Sequence, residues 1–420
     1  GITVLLAERH ELPLVNLELF WRTGSASQPG PGQFEMLLGM LSEGAAGLDA
    51  EALATAYGAL GASPGTDLDP DSLGVTLFAP AAQLAPALQL WAKNLRQPDF
   101  PADALARRAQ RKLAGLQSAT ASATGILSLN QNRLLYGEHP YGRFNSLPLL
   151  QQATRALTPE TLRALAPQVL RPDGATLLVV GDTTPETLKA ALANSLADWK
   201  APLPPPLAAI LPPVTLPPPR VVLFDKPDAE QSLIVAADLS LPAAAPQREA
   251  AELANATLGG LFTSRLNLNL REAKHWTYGA SAHLTDTLGP GTFAMQAAVE
   301  TPHTADAMRE MLKEMRAITG PRPPTTAELD AARKSLVRAL PGEAETAAGV
   351  LDLYQHLLID GLPLDHYADY GHRLQALGTS DVAAAARLLA RPEGMTWIVI
   401  GDLAKIEPAV RALKLGPVEV

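Results

Sequence analysis

Cysteine is absent from this 420-residue chain, which removes disulfides, thiolate zinc sites, iron–sulfur ligation and thiol nucleophiles together. A metal site would need imidazole and carboxylate ligands instead. The histidines are His10, His139, His275, His283, His303, His356, His366 and His372. No two are four residues apart, the spacing that puts two imidazoles on one face of a helix for zinc, and no metal site of this chain's own is expected from them. Serine chemistry has no better footing. Thr263-Ser264 in GGLFTSRL lacks the flanking glycines that expose a nucleophile between strand and helix. The Gly259-Gly260 pair has no Gly-Lys-Ser/Thr downstream and reads as a tight turn into a helix, not as a phosphate loop.

The elements that would position any distributed site follow from composition and pattern. With 47% hydrophobic and 18% charged residues the chain is globular, and at about 150 residues per domain its length suggests two or three domains. A net charge of −9 without a long Lys/Arg cluster argues against a nucleic-acid groove or an anionic-membrane patch. The longest charge-free run, Leu113 to Asn132, is broken by Ser, Thr, Gln and Asn, so no membrane-spanning helix and a soluble protein are expected. The chain opens at Gly1 with the strand-like text GITVLLAE and no initiator Met, as expected where a targeting segment has been removed. A cytoplasmic placement is expected ahead of a secreted or periplasmic one.

A duplication organises the chain. RPDGATLLVVGD, Arg171 to Asp182, returns as RPEGMTWIVIGD, Arg391 to Asp402, at an offset of 220 residues and with seven identities in twelve. Each copy reads as a turn, a buried strand and a Gly-Asp entry into a helix. Helical text with an early acid precedes both, TPETLRALAPQVL and TSDVAAAARLLA. Upstream, Ile2–Ala7 corresponds to Val221–Asp225, and Leu73–Pro80 to Phe293–Pro302. Between the halves, residues 201–220 carry nine prolines, a density that suits an extended, semi-rigid spacer. The period-two text Gly291 to Val299 predicts a sheet with one partly solvated face. Two α+β domains are therefore expected, 1–200 and 221–420, joined by a Pro-rich linker at 201–220.

Three stretches then carry a resemblance. GQFEMLLGMLSEGA, Gly32 to Ala45, is similar to the helix that bears the inverted zinc motif His-x-x-Glu-His in pitrilysin/insulinase-like, processing-peptidase-like metallopeptidases. LGGLFTSRLNLNLREAKHWTY, Leu258 to Tyr278, resembles that family's second-domain segment, and YGEHPYGR, Tyr136 to Arg143, a stretch of its first domain. The resemblance implies two homologous domains, each a mostly antiparallel sheet packed on helices, enclosing a chamber. It places the motif's two histidines at Glu35 and Gly39 and its general-base Glu at Leu38. Gly39 cannot ligate and Leu38 cannot move a proton. The family's third ligand, a Glu, would fall within Arg107 to Gly115, yet Ala104 to Gly137 contains no Asp or Glu. A hydrolytic zinc needs about three protein ligands and a base. This half is expected to hold no zinc, with Glu35 a solvated helix-face charge.

The second segment keeps its chemistry. Arg271 and Tyr278 match the Arg/Tyr pair that, in heterodimeric bacterial members, the non-catalytic subunit extends to the substrate beside the partner's zinc. A guanidinium fork and a phenol hydroxyl can donate to a peptide carbonyl and its developing oxyanion. The alternative is that Arg271 caps its own helix and Tyr278 lies on a sheet edge. Arg271 is expected near the end of a helix whose apolar side includes Leu258, Leu261, Phe262, Leu266 and Leu270. His275 and Trp276, where the family often has Gly-Leu, are candidates for specificity contacts. The implied function is that of a non-catalytic subunit of a heterodimeric zinc metallopeptidase, inactive alone and a homodimer when isolated. It would act on unfolded or extended peptides, with zinc on the catalytic partner. The alternative is an inert scaffold with a peptidase-like fold.

Overall fold

The structure, a computed structural model, describes residues 1–200, 207 and 211–420. Residues 201–206 and 208–210 of the expected linker lie outside the described residues, and 211–219 run without helix or strand.

In the first half of the chain the strands are β1 (Thr3–Glu8), β2 (Leu14–Trp21), the short pair β3 (Gly44–Ala45) and β4 (Leu48–Asp49), β5 (Ser63–Leu68), β6 (Leu73–Pro80) and β7 (Ala175–Gly181). Its helices are α1 (Gln33–Met40), α2 (Ala50–Ala59), α3 (Leu84–Arg96), α4 (Ala102–Ala119), α5 (Ala123–Tyr136), α6 (Leu147–Ala156), α7 (Pro159–Val169) and α8 (Pro185–Ala193). The second half adds β8 (Arg220–Asp225), β9 (Gln231–Leu239), β10 (Thr277–Leu284), β11 (Thr292–Glu300), β12 (Thr396–Gly401) and β13 (Val418–Glu419). Its helices are α9 (Arg248–Asn255), α10 (Arg265–Asn267), α11 (Thr304–Thr319), α12 (Thr326–Glu343), α13 (Ala347–Asp360), α14 (Tyr370–Ala376), α15 (Thr379–Leu389) and α16 (Leu403–Arg411).

The duplication is visible in the sheets. The first has the order β1-β7-β2-β6-β5, and the second, β8-β12-β9-β11-β10, repeats it with β13 added outside β8. Antiparallel pairing dominates, but β1 runs parallel to β7, and β8 runs parallel to both β12 and β13. The two RPxG turns open β7 and β12, the repeat that was legible in sequence. Thr158 caps α7 by accepting from the Thr161 amide, whereas α15 is capped by the Asp381 carboxylate accepting from Gly378.

Two compact units form, and they differ from the expected 1–200 and 221–420 by an exchange. Unit 1 comprises 1–116, 147–210 and 341–359; unit 2 comprises 117–146, 211–340 and 360–420. In unit 1, alternate residues of β2 separate two layers: Val15, Leu17 and Leu19 face the main core with Phe34, Leu37 and Trp91, while Phe20 packs with Leu178 and Val180 against Leu351 and Ile359 of α13. In unit 2, Phe293, Met295, Trp397 and Val399 join Met308, Met311 and Met315 in the core. The opposite face of that sheet buries Val235, Ala237, Ile398 and Ile400 completely, and α5 packs against β9 and β12. A helix from each half of the sequence thus covers the second face of the other half's sheet. Tyr136, His139 and Tyr141 tie the 117–146 segment down. Tyr136 donates to Pro290 O at 2.7 Å, Tyr141 accepts from the Gly289 amide at 3.0 Å, and His139 stacks on Tyr136. The YGEHPYGR stretch is therefore a packing element.

Among the described residues no helix is long and apolar enough to cross a membrane.

Candidate functional site

In unit 2 the path from α9 to β10 is set by one close approach. A Cβ on Gly259 would stand 2.5 Å from the Ala282 Cβ and 2.6 Å from its amide nitrogen, so only glycine lets this backbone lie against β10. The helix widens into a π-turn at Ala256–Gly260, leaves helical geometry at Leu261 (φ −116°, ψ 156°), restarts at Arg265 and widens again over Leu268–Ala273. The single helix expected here is thus interrupted. Leu258, Leu266 and Leu270 are buried as the spacing predicts, but Leu261 is half-buried and Phe262 is 63% exposed. Arg265 of the Ser-Arg-Leu step is structural: it donates to Glu328 at 2.6 and 2.7 Å and to the carbonyls of Arg322 and Pro323.

The turn into β10 closes with Lys274 N donating to Asn269 O, His275 N to Arg271 O and Trp276 N to Leu270 O. This is the pattern that ends helices on a left-handed residue, usually glycine. Here that residue is His275, at φ +58°. His275→Gly is expected to raise stability by about 0.5–1 kcal/mol through relief of this conformation, measured as a higher denaturant midpoint. An unchanged or lower midpoint would mean that the imidazole contributes more than its backbone strain costs.

Arg271 and Tyr278 come together. The Arg271 guanidinium lies 4.4 Å above the Phe262 ring, with Nε 3.5 Å from Glu272, and its side chain is about one-third exposed. Its helix end is closed by the backbone bonds just given. Among the described residues no hydrogen bond joins its side chain to those carbonyls, so the self-capping alternative is not what the geometry presents. Tyr278, second residue of β10, is 94% exposed. The β10–β11 register breaks between Thr277 and Ala280, and Thr277 Oγ1 lies 2.6 Å from Ala298 O while accepting from Gly279 N. This bulge on an edge strand turns Tyr278 out of the ladder. Both residues line one open cavity of about 350 Å³, together with His275, Trp276, Gln231 and Glu300. Trp276 stacks on His303 at 4.8 Å and carries the Lys274 ammonium 5.3 Å from its ring.

Phe262, Gln231, Glu300 and His303 were not visible as site residues in the sequence. Phe262 sits at helical spacing from buried leucines, and the other three belong to strands and a turn far away in the chain.

The degenerate motif lies in unit 1. Leu38 is buried, and Glu35 is exposed but paired with Lys112 Nζ at 2.6 Å. The Arg108 guanidinium carbon stands 2.7 Å from where a Gly39 Cβ would be. Arg107, Arg108 and Arg111 approach Glu43 at 3.9, 3.6 and 3.3 Å. Cations of α4 thus occupy the side of α1 where a zinc ligand set would need acids, and these residues do not fit the ion. Among the described residues no group of three or more His, Asp or Glu is placed to hold a metal. A cavity of about 690 Å³ remains beside α1, walled by α2, α3 and the edge strand β5.

Comparison with known proteins bears on both units. Residues 156–336 match the family model described as peptidase M16 inactive domain. A peptidase M16 inactive domain from Pseudomonas fluorescens superposes with a TM-score of 0.87 at 26% identity, over 96% of this chain and 95% of that one. A protease from Helicobacter pylori gives 0.85 at 18% identity, over 96% and 97%. The first half of the periplasmic protease PqqL from Escherichia coli gives 0.76 at 14% identity, over 98% and 94%. No curated protein matches the sequence.

Proposed function

We propose that this chain, whose residues 156–336 match the peptidase M16 inactive-domain model and which superposes along nearly its whole length on such a domain, is a non-catalytic member of that family: the non-catalytic subunit of a heterodimeric zinc metallopeptidase that degrades unfolded or extended peptides. The observation that carries the proposal is that Arg271 and Tyr278 share one open cavity on an edge strand, Tyr278 almost wholly exposed. A packing role would bury the pair; an inert scaffold has no use for holding it open.

The chemistry follows from the two side chains. Arg271 presents a planar, cationic fork of N–H donors. Its cation–π contact with Phe262 fixes the plane of that fork without using its hydrogen bonds. The Tyr278 hydroxyl adds a neutral donor. Both would aim at the substrate carbonyl oxygen and bind it more strongly as negative charge develops there, which lowers the barrier rather than tightening ground-state binding. The free edge of β10 offers backbone groups to an extended peptide, giving affinity with little demand on sequence. The partner would supply the zinc, its ligands and the base.

Purified alone, the chain is expected to carry no stoichiometric zinc and to cleave no peptide. Metal analysis by plasma mass spectrometry and a chelator-sensitive peptide assay check this. About one zinc per chain with hydrolysis abolished by a chelator would overturn the proposal. Co-purification from the native host identifies the metallopeptidase chain that comes with it.

A further inference from the structure

The walls of the cavity beside α1 in unit 1 hold polar atoms that nothing among the described residues satisfies. Asn94 is only 5% exposed; its Nδ2 reaches the Tyr57 hydroxyl at 3.4 Å, and its Oδ1 has no hydrogen-bond partner among the described residues. Turning the amide over exchanges the two atoms and leaves the other one unpaired. Arg108 Nε is also buried without a hydrogen bond, at 3.6 Å from Glu43 Oε1. Buried polar groups are nearly always paired; both orphan atoms are sealed just below the cavity surface, so a partner in the cavity meets them only when the two side chains turn toward it. Both residues line this cavity.

The surroundings state what that partner must be. Leu38, Leu53 and Val75 form apolar walls, so part of the ligand is hydrocarbon. Gly39, lacking a side chain, leaves its space to the Arg108 guanidinium. Glu43 is shared among Arg107, Arg108 and Arg111, so it does not neutralise Arg108. A guanidinium fork matches a planar carboxylate. Of the two acids in the wall, Glu35 is paired with Lys112 and Asp67 repels negative charge on its own side, so an anionic end of the ligand belongs at Arg108.

We propose that this cavity binds the C-terminal residue of a peptide: Arg108 takes the terminal carboxylate, Asn94 pairs the last peptide group, and the apolar side chain fills the space among Leu38, Leu53 and Val75. The place where a zinc motif has degenerated becomes a site for chain ends, with the positive charge of an arginine and no metal. The assignment rests on the geometry of unit 1 and is independent of what Arg271 and Tyr278 do.

The test is calorimetric titration of the full chain, without partner or zinc, with N-acetyl-L-leucine and with N-acetyl-L-leucinamide. The acid is expected to bind, and the amide at least about tenfold more weakly because the charge-assisted pair is lost. Arg108→Gln should bring the acid down to the level of the amide, and Arg108→Lys should restore part of the difference, which also shows that the variants are folded. Equal binding of acid and amide, binding of neither, or unchanged binding in Arg108→Gln would overturn the proposal. None of these outcomes bears on turnover with a partner subunit, so this inference and the one on Arg271 and Tyr278 fail separately.

Discussion

In the proposed complex with a zinc-bearing partner, Arg271→Ala is expected to lower kcat by about 10²–10³-fold and Tyr278→Phe by about 10²-fold, the size of effect seen when one oxyanion donor is removed. KM should move little, because the contacts strengthen as charge develops rather than on binding. Assembly should be unaffected. Among the described residues the Arg271 side chain is engaged by the exposed Phe262 ring and the exposed Glu272 carboxylate, contacts each worth about 1 kcal/mol or less at a surface. Steady-state kinetics with an extended peptide, alongside sedimentation of the complex, separates the two roles. Unchanged turnover in both variants would make the pair ordinary surface residues. Turnover lost in step with assembly would make them interface residues instead.

The second large effect concerns Glu18, in β2. Its carboxyl is 2% exposed and accepts from Gln355 Nε2 of α13 at 2.5 Å. Burial, together with Asp67, Asp352 and Asp69 nearby, pushes its pKa from 4.5 up to about 8. Between these values the folded chain holds a proton that the unfolded chain has released. Stability therefore falls as pH rises from about 4.5 to about 8 and levels off above. A shift of that size corresponds to roughly 4–5 kcal/mol between the two plateaus. Glu18→Gln keeps shape and acceptor while removing the proton. It is expected to make the protein about 2–4 kcal/mol more stable at pH 8 and to flatten the slope between pH 5 and 8. Urea midpoints across that range check it; parallel pH profiles for the two proteins would show that Glu18 does not titrate in this window.

Much of the fold could be read from the chain because its signals are local. The RPxG turns, the apolar runs behind them and the Gly-Asp exits mark β7 and β12 without reference to anything distant. The exchange of 117–146 and 341–359 left no such mark. An amphipathic helix such as α5 or α13 shows which of its faces is apolar, not which sheet that face covers, so cutting the chain at its prolines looked sufficient. The site divides the same way. Arg271 and Tyr278 could be placed by motif, and the stretch free of acids after Ala104 already told against a zinc ligand on α4. Phe262 could not be placed, because the spacing that assigned it to the core assumes an unbroken helix. The break comes from the approach of Gly259 to Ala282, a steric fact spanning separate elements. The strain at His275 likewise appears only once φ is known.

The exchanged helices also fix what can be cut or inherited. The chain passes from one unit to the other five times, after residues 116, 146, 210, 340 and 359. A nick in the proline stretch severs one passage and leaves four, so the two fragments can part only by unfolding. Each half of the gene taken alone encodes a sheet with one apolar face stripped: without α5, Ile398 and Ile400 are uncovered, and without α13 so is Phe20. After the duplication, the smallest heritable piece that can hide its own hydrocarbon is the doubled chain.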